Sequence, residues 1–226
     1  MRTTILTATL GLLAIVFAAC NQSGSNTAMN HNGMAMNGNM PMNHNAMPMN
    51  ANHDMSAMHH GEMESSPNAA SQPYDLQFID TMTHHHQGAI DMAKMALTKS
   101  QNAELKKFAQ KIIDDQNKEI SQMKDWRDKW YSGKPPAKNM EMAGMKESMK
   151  MMMGDGMKKM EAASGKDFDL MFLDMMKPHH AGAIAMAKDA LGKAEHQEIK
   201  TLSDQIIKAQ EAEIKQIDAW KADSSK

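Results

Sequence analysis

Apolar residues recur every three or four positions along two stretches of the chain, and that period predicts helices. Leu76, Ile79, Met82, Ala89, Met92, Ala93 and Ala96 mark one apolar face. A polar break at Thr98-Lys99-Ser100-Gln101-Asn102 follows. A second face then runs through Leu105, Phe108, Ile112, Ile113, Ile120, Met123 and Trp126. The whole pattern repeats. Residues 74–126 align with 168–220 at a constant offset of 94 without a gap, and about 25 of the 53 paired positions are identical. In the second copy the polar break falls at 192–196. No segment keeps a period of two for long, so the predicted fold is all-α. One helical hairpin alone leaves an apolar face in water. Two tandem hairpins, here 73–131 and 167–223, can bury those faces against each other as a four-helix bundle.

Outside the copies the pattern changes. Residues 1–20 carry one positive residue, Arg2, then an apolar run and small residues ending at Cys20. That is a secretory signal peptide, excluded from the fold. Phe17-Ala18-Ala19-Cys20 resembles a bacterial lipobox, with Phe17 where Leu is usual. It implies lipidation at Cys20 and anchoring on the periplasmic side of a bacterial membrane, with an ordinary signal peptide ending in Cys as the alternative. Residues 21–72 are rich in Asn, Met, His, Gly and Ser and show no period, so a disordered tether is expected. As a flexible coil it would reach about 40 Å. Residues 132–166 form a Met-rich linker in which 140–153 is expected to be partly helical and Gly154-Asp155-Gly156 to break the helix.

Composition narrows the chemistry. The chain has 25 Lys+Arg against 27 Asp+Glu, a balance that argues against a nucleic-acid partner. It has 28 Met and 11 His but a single Cys, which leaves no disulfide framework and no paired-Cys metal site. Positions i, i+3, i+4, i+7 and i+10 share a helix face. Met82, His85, His86, Ala89 and Met92 fit that stripe, and so do Met176, His179, His180, Ala183 and Met186. Thioether sulfur beside imidazole nitrogen suits copper, above all Cu(I), better than Mg²⁺ or Ca²⁺. The bland alternative is that the histidines are polar helix positions and the methionines fill the core. Against it, the pair recurs in both copies while Asp91 became Ala185 and Met95 became Asp189. A glycine, Gly88 or Gly182, also stays beside each pair, where it costs about 1 kcal/mol relative to Ala. Its use would be close approach of another helix. Glu119 and Glu213 are the expected acceptors for a ring N–H.

Further candidate ligands lie elsewhere. The tether offers His31, His44, His53, His59 and His60 among ten methionines, and the rest of the chain adds Met123, Met149 and Met152. Linker drift and packing are the alternatives for these. Di-iron bundles use Glu-x-x-His motifs. No histidine here has Glu or Asp three residues before it, and no P-loop, G-x-S-x-G or H-E-x-x-H occurs. No enzymatic turnover and no organic cofactor are therefore expected.

The string D-x-x-F-(I/L)-D-x-M-x-x-H-H-x-G-A-I-x-M-A-K-x-A-L resembles the bacterial family called domain of unknown function 305. The second copy, MMKPHH, is the closer match, and the first has His84 where Pro is common. The resemblance implies a ferritin-like helical bundle in an exported protein. It also implies metal roles for Met82, His85, His86 and Met92 and for Met176, His179, His180 and Met186. The expectation is thus an exported, anchored copper-binding protein, for Cu(I) and also Cu(II) or silver. It would serve in sequestration, resistance or hand-over to an efflux or chaperone protein. The alternative is a non-catalytic interaction module of the cell envelope without a physiological metal.

Overall fold

Two long apolar stripes per copy, each interrupted by a short polar break, fold as two helical hairpins. The computed structural model describes residues 64–150 and 155–224. The expected leader with Cys20, the candidates His31, His44, His53, His59 and His60, and Met152 lie outside the described residues. Within them run α1 (Tyr74–Lys99), α2 (Ala103–Tyr131), α3 (Met145–Lys150), α4 (Asp155–Ala162), α5 (Gly165–Lys193) and α6 (Gln197–Ser224), with no strand among the described residues. The four long helices have 26 to 29 residues each, or about 40 Å at 1.5 Å per residue.

The breaks fall where the polar runs predict, and each following helix starts on a carboxamide or a carboxylate. Asn102 caps α2, its Oδ1 accepting from the Glu104 and Leu105 amides at 2.9 and 3.2 Å. The entry to α6 is held from another helix. Asp75 of α1, almost fully buried, accepts from the backbone amides of Glu195 and His196 at 3.0 and 2.9 Å. It also pairs with His196 Nδ1 at 2.6 Å. Amides with no intrahelical partner are thereby satisfied.

Helix α1 packs on α2, α5 on α6, and α1 on α5, so the hairpins face each other as an all-α bundle. Leu76, Phe78, Ile79, Phe168 and Phe172 fill the core, and Phe108 of α2 meets Trp220 of α6 edge to face at 5.2 Å. Pro178 lies inside α5, and the helix continues through it. Among the described residues no helix is long and apolar enough to cross a membrane.

The connecting segments differ from expectation at two places. Residues 64–72, assigned to the tether, are tied to the bundle. The Ser66 amide donates to Lys138 O at 2.8 Å, Ser65 Oγ accepts from the Met140 amide at 2.9 Å, and Ala69–Ser71 makes a 3₁₀ turn. Partners some seventy residues away leave no local signal. In the linker, α3 begins at Met145 rather than at Met140, with turns at 140–144. Asp155 and Gly156 open a further short helix, α4. An acidic first turn favours a helix N-terminus, which offsets the cost of the glycine. The linker is pinned to α1 by Asp80, which pairs with Arg127 at 2.7 Å and accepts from the Ala137 amide at 2.8 Å. Its methionines Met142, Met145, Met149, Met157 and Met160 are buried.

Candidate metal centre

The paired histidines sit near the middle of α1 and α5, where both helices are surrounded. His85, His86, His179 and His180 are at most 1% exposed, and Met82, Met92, Met176 and Met186 are fully buried. The eight residues of the two predicted stripes thus all lie in the bundle interior. Ala89 and Ala183, the small residues within the stripes, are fully buried as well. Packing of α1 on α5 brings the copies together: the His85 and His179 rings stand 3.8 Å apart, centroid to centroid, tilted by 41°.

A buried imidazole normally finds hydrogen-bond partners. Here both ring nitrogens of His85 and both of His179 have none. Burial pushes the pKa of each ring well below its usual value, and the neighbouring histidines add to that. Both rings are therefore neutral at pH 7, each with a lone pair available to a ligand.

The outer pair is supported from behind. His86 Nε2 lies 2.6 Å from Glu119 Oε2 of α2, while His86 Nδ1 is buried without a partner. A carboxylate on one ring nitrogen places the N–H there and leaves the lone pair on the other, as in histidines that bind metals. The second copy repeats the contact: His180 Nε2 lies 2.9 Å from Glu213 Oε2. That contact is not aligned as a hydrogen bond, and the other oxygen of Glu213, Oε1, pairs with Lys111 of α2 at 3.0 Å. Burial works to raise the Glu213 pKa, but His180 and Lys111 outweigh it and hold the carboxyl below its usual value. Glu119 and Glu213 thus both stand within 3 Å of a ring nitrogen of their copy's second histidine.

The structure also places two buried carboxamides beside the glutamates. Gln116 and Gln210, one turn before the glutamates and equivalent under the 94-residue offset, are buried with their Oε1 atoms unpaired. Met123 is fully buried one turn beyond Glu119, its sulfur 4.0 Å from Thr83 Oγ1. Met149 is buried in α3, which packs on α5. His84, outside the shared stripe, is half-buried, and burial with Lys138 pushes it down to about 4.

Glycine 182 serves the close approach inferred for it, although the neighbour is the linker rather than another long helix. A Cβ there would stand 2.5 Å from Ser148 Cβ and 2.6 Å from Gly144 O.

These donors fit a soft ion. Among the described residues no three His, Cys, Asp or Glu side chains are grouped to hold one ion. An ion at the paired histidines would therefore draw on the thioethers of the same stripes. Imidazole with thioether is a donor set for Cu(I) and silver rather than for a hard cation.

The model for the family described as domain of unknown function DUF305 matches residues 75–221. Solved structures of CopM are similar to this chain. The Cu(II)-bound form is 42% identical with a TM-score of 0.55, covering 65% of this chain and 94% of that one. The Cu(I)-bound form is 39% identical with a TM-score of 0.55, covering 67% and 98%. A DUF305 fragment from Deinococcus radiodurans is 28% identical with a TM-score of 0.56, covering 66% and 95%. No curated protein matches the chain in sequence.

Proposed function

The chain belongs to the DUF305 family, and from that premise we propose that it is a copper-binding protein of the bacterial envelope. Its cargo would be Cu(I) or silver at the buried His/Met stripes, with Cu(II) taken by histidines. One observation carries the reading: four buried imidazoles, whose ring nitrogens other than His86 Nε2 make no hydrogen bond, stand in the same stripes as four buried thioethers. Leaving a buried polar atom unpaired costs about 1–3 kcal/mol. A bundle that sets several such atoms at its centre, in both copies, gains them back when a ligand binds. CopM, similar to this chain over nearly its whole length, is known in Cu(I)-, Cu(II)- and Ag-bound forms, which supports the same cargo here.

The bundle's residues bind and orient. His85, His86, His179 and His180 would offer nitrogen, and Met82, Met92, Met176 and Met186 sulfur. Glu119 would hold the tautomer of His86, and Glu213 would stand as a counter-charge beside His180. Burial excludes water and so protects Cu(I) from oxidation. The task would be sequestration, resistance or hand-over to an efflux or chaperone protein, without turnover. The leader and Cys20 would place the protein on the outer side of a membrane, and the Met/His tether would capture further ions.

Anaerobic Cu(I) titration against a competing chelator tests this on the full mature chain. Replacing all four histidines by Ala should lower the number of tightly bound ions while the tether still contributes. An unchanged stoichiometry, with unfolding indifferent to copper, would favour the interaction module, because a ligand of the native state must raise its stability.

A further inference from the structure

We propose that the two copies have diverged into inequivalent half-sites, and that a soft monovalent ion fills the N-terminal one first. This rests on the copper reading and adds an order to it. Two substitutions between equivalent positions carry the inference. The first is Met123 against Ile217. Both are fully buried at the same place in their hairpins, one turn beyond Glu119 or Glu213. The Met123 sulfur touches Thr83, one turn before His86, and so shares a layer of the bundle with Met82. The N-terminal half-site can therefore draw on one more thioether. Its counterpart has hydrocarbon there.

The second is Lys111 against Gln205. Lys111 reaches across from α2 to Glu213, the carboxylate behind His180, at 3.0 Å. The equivalent position on α6 is Gln205, exposed and uncharged, and among the described residues Glu119 forms an ion pair with His86 alone. Glu119 accordingly keeps a close, aligned bond to His86 at 2.6 Å, whereas Glu213 is divided between an ammonium and a bent contact to His180. A cation at the C-terminal half-site meets a carboxylate already engaged by the Lys111 ammonium, which also pairs with Asp115 at 2.6 Å. Softness and electrostatics thus favour the same copy. A protein with one tighter and one looser site can retain one ion while releasing the other, which suits hand-over.

Silver(I) is a redox-inert probe for the test. Imidazole ¹⁵N–¹H correlation spectra of the full mature chain, assigned through His86→Gln and His180→Gln, report each half-site separately during titration. The His86 ring should reach half its shift at about tenfold lower free Ag(I) than the His180 ring, a gap of about 1.4 kcal/mol. Met123→Ile should shrink that gap from the N-terminal side, and Lys111→Met from the C-terminal side. Both substitutions keep volume or lie at a partly exposed surface, and unchanged circular dichroism will verify the fold. Half-sites that titrate in step in the wild type overturn the inference. If the silver shifts leave every imidazole unmoved, the copper reading itself falls, which is a different result.

Discussion

Acid should unfold the metal-free protein through the two central histidines, and the effect can be worked out in advance. Burial and mutual proximity push His85 and His179 well below their usual pKa. In the unfolded chain each titrates near about 6.5. The sign follows from linkage. The unfolded state binds more protons once pH drops below that value, so stability is full above it and is lost as pH falls toward the depressed folded values. Each histidine left neutral contributes a slope of about 1.4 kcal/mol per pH unit well below 6.5. Integrated from pH 7 to pH 5, the two together remove about 4 kcal/mol. Small domains have about 5–15 kcal/mol in all, so the loss is a large part of the total. Many carboxylates titrate over the same range, and the comparison must isolate the rings. The double variant His85→Leu/His179→Leu removes four orphaned nitrogens without adding a polar group. It should be near neutral or stabilising at pH 7.5 and should lead the wild type by about 4 kcal/mol more at pH 5. His84, pushed down to about 4, is present in both proteins and cancels. Urea unfolding followed by circular dichroism, on chelator-treated protein at half-unit steps of pH, gives both curves. If the two stability profiles run parallel, the rings are not buried neutral groups and the account of the site fails.

Two further perturbations probe the frame around the site. Gly182→Ala places a methyl against Ser148 and the Gly144 carbonyl. It should cost about 1–3 kcal/mol by overpacking and speed tryptic cleavage at Lys146 and Lys150, and unchanged cleavage would show that α3 does not depend on this contact. Asp75→Ala strands the amides that enter α6 and releases His196, which stacks on Trp130 at 3.8 Å. A loss of about 2–3 kcal/mol is expected, with altered tryptophan emission, and a change below about 0.5 kcal/mol would mean that α6 is capped by other means.

Much of this molecule is local pattern, and local pattern is readable. The period of the apolar residues defines four long helices, because burial of one face requires that period. The polar breaks at 98–102 and 192–196 end helices where turns must expose backbone groups. The 94-residue offset marks the two hairpins, and Met82, His85, His86 and Met92 share a stripe because 3.6 residues make a turn. Glutamates 119 and 213 could be matched to the histidines for the same reason, as positions on the facing helix of a hairpin.

The tertiary structure decided everything that depends on one copy meeting the other. No spacing along the chain states that the His85 ring meets that of His179, since that follows from the pairing of α1 with α5. The isolation of their nitrogens, and hence their neutrality, is a property of burial from all sides. Lys111 reaching Glu213, Asp75 capping a helix about 120 residues away, and the linker seated on Gly182 are likewise contacts between segments whose sequences carry no mutual signal. Helix periodicity fixes which side chains share a face. Only packing fixes what that face meets, and with it the charge, solvation and ligand chemistry of the site.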